Sequence, residues 1–315
     1  MSSYVAATAF GGPDPLSVLD ETLGAPGPGE ALVKVHAIGT NPVDYKMYSG
    51  AYGRDDARLP MRIGSEAAGT VTAVGPEAVG PNGPISVGDE VIAFRAPGAY
   101  AAELLVPAHA LVPKPATLGW NQAAGLMLTG VTATHALAAA AVGPGDTVLI
   151  HGGAGGVGIM AVQLAAGRGA TVVATASPGH HALLAELGAV PVAYGPGLAD
   201  RVRAAAPGGV DAALDLVGTD EALDVSLELV ADRDRIATIA GFSRGFGAGI
   251  KVLGGAPGAD NGAALRQAAR LELVRLAEKG TLTVHVQQTF PLAQAAAAHR
   301  LLMDGHTTGK IILVP

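Results

Sequence analysis

Gly153, Gly155 and Gly158, inside the run His151-Gly152-Gly153-Ala154-Gly155-Gly156-Val157-Gly158, are the residues whose type and spacing speak most directly of chemistry. In a G-x-G-x-x-G turn the first glycine permits the tight bend, the second lets backbone approach a diphosphate, and the third lets helix and strand pack closely. The run follows an apolar strand candidate at 147–150 and opens a helix-like stretch. A diphosphate would rest on the free N–H groups and positive dipole end of a helix beginning near Val157, which makes this a dinucleotide-binding turn. In a chain with 45 Gly such spacing can arise by chance, so its weight comes from the surrounding elements.

Those elements alternate. Residues 171–175 form a second strand candidate, 180–187 a helix stopped by Gly188, and 189–193 a third strand. Strands at 211–217 and 235–240 follow, with a helix at 221–230 between them and a sixth strand candidate at 250–253. Short apolar strands alternating with helices predict parallel βαβ units wound into a Rossmann-type doubly wound sheet, with the ligand at the strands' carboxyl ends.

Cofactor choice turns on the residues after the second strand, where an NAD-binding fold usually places an acid about 20 residues beyond the glycines. Here the window reads Ala174-Thr175-Ala176-Ser177-Pro178-Gly179-His180-His181, with no acid before Glu186. A carboxylate would repel a 2′-phosphate, so its absence beside hydroxyl and imidazole donors favours NADPH over NADH. The plainer alternative is that Ser177 caps the next helix and both histidines face solvent.

Composition agrees with a soluble, cytoplasmic enzyme: 315 residues leave room for two domains, and 49% hydrophobic with 15% charged residues supports a packed core. A net charge of −7 without a basic run argues against nucleic acid, and zero Cys excludes disulfides and thiolate metal sites. The opening Met1-Ser2-Ser3-Tyr4-Val5 has no signal-peptide character, and the Ala-rich stretch 133–142 is too short to span a bilayer. Neither export nor membrane insertion is expected.

Residues 1 to about 118 have another texture, with short strand candidates at 31–37, 69–75 and 90–94 separated by Gly and Pro, which suggests a small curved β-barrel. Pro113-Lys114-Pro115 marks a boundary before a helical stretch at 121–140, and a Gly-rich loop is expected at 241–258. A strand at 284–290, a helix at 292–303 and a strand at 310–314 resume the β-rich texture. The expected arrangement is an α/β protein in which a barrel domain (1–119, completed by 281–315) is interrupted by the nucleotide domain (120–280), with a cleft between them.

At this point the chain resembles the zinc-independent medium-chain dehydrogenase/reductases of the quinone oxidoreductase group. The resemblance rests on Gly39-Thr40-Asn41-Pro42-Val43-Asp44-Tyr45-Lys46, Ile63-Gly64-Ser65-Glu66-Ala67-Ala68-Gly69, Gly98-Ala99-Tyr100-Ala101-Ala102-Glu103, the glycine turn and the closing Gly305-His306-Thr307-Thr308-Gly309-Lys310-Ile311-Ile312-Leu313-Val314, in family order along the whole chain. It implies a GroES-like barrel with a Rossmann domain, NADPH, hydride transfer to an activated carbonyl compound or alkene, and a homodimer; the expected acceptor is a quinone or an α,β-unsaturated carbonyl. The apolar candidate strand at 250–253, flanked by Gly, would offer a pairing edge.

The family's zinc-dependent branch holds metal through Cys with His or Glu. This chain lacks the thiolates, with Asn41 and Asp44 in the metal-ligand region and Glu66 at the acid of the G-x-E motif. No metal is expected, since catalytic zinc wants three convergent protein ligands; Glu66 is expected to accept backbone N–H groups beside Gly64 and Gly69. Activation then falls to hydrogen bonds and positioning. By resemblance Asn41 would lie near the nicotinamide ribose or substrate, and Tyr52 at the mouth of the cleft, where a phenol can donate to a substrate oxygen. Tyr52 has a packing alternative, and Tyr45, Lys46 and Tyr48 are weaker candidates, the default reading of such a polar run being a surface one.

Around the cofactor, resemblance places Thr129 and Thr132 on the nicotinamide side, Gly241 and Phe242 near the carboxamide, and Tyr194 near the 2′-phosphate, beside the turn residues Gly153, Ala154, Gly155, Gly156, Val157 and Gly158. For the threonines the alternative is bonding to the helix backbone. His181 stands where relatives often carry Lys, and a neutral imidazole donates only one bond, so Ser177 carries more of the phosphate expectation. Other readings are a carbonyl, alcohol or enoyl-thioester reductase of the same fold, or a non-catalytic NADPH-binding protein, which consumption of NADPH would separate from the enzymes.

Overall fold

The structure, a computed structural model describing residues 1–315, divides into two compact units: Met1–Leu128 with Arg270–Pro315, and Thr129–Ala269. The boundaries therefore fall at 128/129 and 269/270, inside the 119/120 and 280/281 read from sequence. The helix Trp120–Ala124 packs on the strands Glu30–Gly39 and Glu66–Val74, which draws it into the first unit. Arg270, within the helix Ala263–Glu278, donates to the carbonyl of His109 and ties that end of the helix to the first unit as well.

In the first unit Glu30–Gly39, Glu66–Val74, Glu90–Phe94 and Leu111–Pro113 form an antiparallel run, and Glu103–Pro107 pairs with Glu30–Gly39. The period-2 pattern of Glu30–Gly39 sends Ala31, Val33 and Val35 into the core, where they meet Val71, Leu104, Leu111, Ile311 and Leu313. The terminal strand Lys310–Val314 pairs antiparallel with Glu30–Gly39 and parallel with Val286–Pro291, so the chain's last residues complete the sheet its first hundred began. This return brings Lys310 beside the turn at Thr40 and Asn41.

The second unit holds a six-stranded sheet in the order Ala189–Val192, Thr171–Thr175, Thr147–His151, Ala212–Asp215, Ile236–Thr238, Lys251–Val252, with every neighbour parallel. The order reverses at Thr147–His151, the switch point where a doubly wound sheet opens a crevice. Both faces are covered, so the strands are apolar runs with no alternation. The sixth strand expected at 250–253 is present as Lys251–Val252, and the Gly-rich stretch before it, expected as loop, holds the helix Phe242–Ala248. A Cβ on Gly245 would lie 2.8 Å from Thr238 Cγ2 and 2.9 Å from Val252 Cγ2, so glycine there lets a helix lie flat on the sheet. No helix is long and apolar enough to cross a membrane.

Candidate functional site

Each glycine of the turn has its own reason. A Cβ on Gly158 would stand 2.1 Å from Gly152 O and 2.7 Å from the Gly153 carbonyl carbon, so the helix Gly156–Gly167 meets the turn only through glycine. A Cβ on Gly153 would press within 2.8 Å of Ala174 Cβ. Gly155 differs: its Cβ would meet only Gly152 O, at 3.4 Å, and its φ of −72° suits any residue. Nothing in the protein requires glycine at 155, and the space there is what a diphosphate backbone contact would need. Gly155 is the N-cap of a 12-residue helix, and no side chain caps it. The N–H groups of Gly156, Val157 and Gly158 thus have no intrahelical acceptor and are available to an anion at the helix N-terminus. Gly153 N–H donates to Thr175 O at 2.9 Å and Gly152 N–H to Thr175 Oγ1 at 3.1 Å, which fixes the turn to the neighbouring strand; Ala154 is buried within it.

Of the residues expected at the 2′-phosphate, Ser177 and His181 follow the strand Thr171–Thr175 and Tyr194 follows the strand Ala189–Val192. Ser177 Oγ lies 2.9 Å from His180 Nδ1 and does not cap the following turn, contrary to the plainer alternative. His181 Nε2 lies 3.2 Å from the carbonyl of Ala176, so Nε2 carries the hydrogen and a neutral ring presents Nδ1 as an acceptor. Tyr194 is 54% exposed. Thr129 and Thr132 lie buried one turn apart on the helix Met127–Ala139.

Sequence reasoning missed Asp215. It is fully buried at the end of its strand, accepts from Val217 N–H and Gly218 N–H with Oδ1, and takes Thr238 Oγ1 at 2.7 Å on Oδ2. Thr238 Oγ1 in turn accepts from Gly241 N–H at 2.9 Å. One carboxylate therefore shapes both loops beside a cavity of about 250 Å³ that Gly218, Thr219, Gly241 and Phe242 help to line. Beside it His151 is buried, its Nε2 has no hydrogen-bond partner, and desolvation drives its pKa down to about 4, keeping the ring neutral.

The first unit gathers a second cluster. Asn41 precedes the helix Pro42–Ser49; its N–H donates to Asp44 Oδ2 at 2.8 Å, and its amide donates to Gly39 O at 3.3 Å and Glu66 Oε1 at 3.0 Å. Lys310 Nζ donates to Asn41 Oδ1 at 2.6 Å, Thr40 O at 2.7 Å and Glu66 Oε1 at 3.0 Å. Both amide hydrogens of Asn41 are thus used inside the unit, and the residue is 1% exposed. Glu66 corrects an expectation: Leu128 N–H donates to it at 2.8 Å, and no N–H beside Gly64 or Gly69 reaches it. The carboxylate points across the sheet to the Lys310 ammonium, which sequence reading quoted and gave no role. No group of three or more His, Cys, Asp or Glu side chains converges to hold a metal.

Tyr48 is a second correction. Placed four residues after Asp44, it shares the buried face of the helix and is not a surface residue. Its hydroxyl lies 2.7 Å from His299 Nδ1, His299 Nε2 lies 2.8 Å from Tyr100 Oη, and Tyr100 donates to Asp44 Oδ2 at 3.1 Å. Burial pushes Asp44 up to about 7 against the lowering effects of the Asn41 N–H and the Lys310 charge, and pushes His299 down to about 4. Burial also raises the phenols of Tyr48 and Tyr100. Tyr52 is 45% exposed, its phenol raised by partial burial, and Tyr45 is half-buried.

Comparisons with known proteins match both units. Residues 27–116 fit the alcohol dehydrogenase GroES-like domain and residues 187–313 fit a zinc-binding dehydrogenase family. A quinone oxidoreductase of Pseudomonas aeruginosa is 34% identical, with 100% of each chain covered. A 2-haloacrylate reductase of Burkholderia sp is 35% identical over 97% of this chain and 96% of its own. Among solved structures, a mycobacterial protein complexed with NADPH superposes with a TM-score of 0.85 at 34% identity, covering 100% of both chains. Escherichia coli quinone oxidoreductase complexed with NADPH gives 0.84 at 28% identity, covering 99% of this chain and 100% of that one.

Proposed function

The chain belongs to the zinc-independent quinone oxidoreductase group of the medium-chain dehydrogenase/reductases, and from that premise we propose that it is an NADPH-dependent oxidoreductase reducing a quinone or an α,β-unsaturated carbonyl compound without a metal. The observation that carries this reading is the open flank of Gly155 at an uncapped 12-residue helix N-terminus, followed by a second strand with no acid after it. Bound NADPH supplies a hydride. The first-turn N–H groups of the helix Gly156–Gly167 hold the diphosphate, while Ser177, His181 and Tyr194 are the candidates for the 2′-phosphate. Thr129, Thr132, Gly241 and Phe242 flank the nicotinamide. Tyr52 donates a hydrogen bond to the acceptor's oxygen, stabilising the charge that develops there. With its amide hydrogens committed internally, Asn41 shapes the approach to Tyr52 and does not donate to the acceptor.

The protein works in the cytoplasm as a homodimer in this reading, which rests on the absence of a membrane-length apolar helix and on the sheet edge at Lys251–Val252. The test is NADPH oxidation across a panel of quinones, enones and aldehydes, with solution scattering for the mass. Turnover confined to aldehydes would replace the reading with carbonyl reduction, and no turnover with any acceptor would replace it with NADPH binding alone.

A further inference from the structure

We propose that Lys310 is a positioning residue whose ammonium acts as a built-in cation, filling an oxygen cage formed by Thr40 O, Asn41 Oδ1 and Glu66 Oε1 and so fixing the segment that leads to Tyr52. The proposal deepens the reductase reading and rests on it for its kinetic consequences. An ammonium has three N–H donors, and the cage offers three oxygens at 2.7, 2.6 and 3.0 Å, so every donor is used. The Lys310 and Glu66 side chains are 3% and 0% exposed, so the pair is shielded from bulk solvent.

The fold makes room for this pair at two glycines. A Cβ on Gly39 would lie 2.2 Å from Ala124 O and 2.6 Å from Glu66 Oε1, and one on Gly125 would lie 2.9 Å from Lys310 Cγ and 3.0 Å from Val284 Cγ1. Buried ion pairs are weak sources of stability, because desolvation offsets attraction and an apolar pair of similar volume often does as well. What the pair supplies is orientation. With a cation on its oxygen and a carboxylate on its nitrogen, the Asn41 amide has one favourable direction, and the same ammonium holds the Thr40 carbonyl. Glu66 carries the constraint onward to Leu128 N–H, and Asn41 N–H carries it to Asp44 in the first turn of the helix Pro42–Ser49. Four chain segments distant in sequence meet at one charge.

Lys310→Ala removes the three carbons beyond Cβ and the ammonium, the shape of n-propylammonium. The variant's melting temperature should fall and be restored, saturably, by n-propylammonium chloride. Methylammonium should do less, and sodium or tetramethylammonium chloride at equal ionic strength should do nothing. With a quinone acceptor, kcat should drop about tenfold or more, as expected for misplaced reacting groups, and recover with the same amine. Both KM values should stay within about threefold of wild type, because binding contacts are kept. Wild-type kcat in the variant, or no response of melting temperature and kcat to propylammonium, overturns the proposal. Should the alanine variant fail to fold, Lys310→Met keeps the volume without the charge; it should show the same kcat loss without rescue, and wild-type kcat in it overturns the idea equally. If the wild-type protein reduces no acceptor, the reductase reading falls while the melting series still tests the cage.

Discussion

Tyr100 donates its hydroxyl to Asp44 Oδ2 while its oxygen stands 2.8 Å from His299 Nε2, so two buried groups with opposite pKa shifts share one phenol. Desolvation lifts Asp44 to about 7, close to neutrality, and lowers His299 to about 4. An acid whose pKa is higher folded than unfolded contributes stability that is full below its unfolded value and lost as pH rises through the folded one. For Asp44 that window runs from 3.8 to about 7. His299 acts in the opposite sense: neutral when folded, it costs stability as pH falls from 6.5 toward 4. Asp44→Asn removes only the first effect. Urea unfolding from acid to mildly alkaline pH should therefore show the variant gaining on wild type by roughly 4 kcal/mol across that window, at 1.36 kcal/mol per unit. Parallel stability curves would refute the assignment.

The turn glycines separate folding from binding. Gly158→Ala forces a Cβ against backbone atoms at 2.1 and 2.7 Å, which cannot move aside as side chains can. It should cost about 2 kcal/mol or more in thermal unfolding. The Cβ of Gly155→Val would meet only Gly152 O, at 3.4 Å, so its melting temperature should stay near wild type while NADPH fluorescence titration shows binding abolished. Retained NADPH binding by Gly155→Val would remove the diphosphate from this turn.

The contrast between the two clusters shows what a linear sequence can carry. The six parallel strands were legible because each is a short apolar run stopped by turn residues, and both its faces are buried whatever the neighbours are. The glycine turn was legible because its logic is local. The Asp44–Tyr100–His299–Tyr48 chain was not, since its members come together over separations of 56, 199 and 251 residues. Tyr48 looked like part of a polar surface run until the helix put it on the same face as Asp44. The helix Phe242–Ala248 was hidden by its glycines, which disfavour helix locally and are required by its close approach to Thr238 and Val252.

Cofactor choice should depend on His181. With Nε2 turned to the Ala176 carbonyl, the neutral ring offers a 2′-phosphate only the Nδ1 lone pair. His181→Lys, which supplies a donor in its place, should tighten NADPH binding and leave NADH binding flat. Tighter NADH than NADPH binding at neutral pH would end the NADPH assignment.

Chelation offers a simple control on the chemistry. Glu66, the acid of the motif that serves zinc in related enzymes, already has the Lys310 ammonium 3.0 Å away, and the chain has no Cys to complete a thiolate site. Turnover should survive exhaustive dialysis against a chelator, and elemental analysis should find no stoichiometric zinc. Loss of activity restored only by zinc would contradict this.

The position of the transferred hydrogen decides which bond is reduced. Tyr52 is half-exposed and its phenol, raised by partial burial, stays protonated at neutral pH, so it can donate to an acceptor oxygen as negative charge develops there. A donor on that oxygen would stabilise the enolate formed when hydride reaches the β-carbon of an enone and equally the alkoxide formed when it reaches the carbonyl carbon, so the label decides between them. With 4-deuterated NADPH, label should appear at the β-carbon of the product. Tyr52→Phe should slow turnover by about a hundred- to a thousandfold, typical of losing one oxyanion donor, with little change in NADPH affinity. Label on a carbinol carbon would instead identify carbonyl reduction, and an unchanged kcat in Tyr52→Phe would leave Tyr52 as a packing residue beside Tyr45.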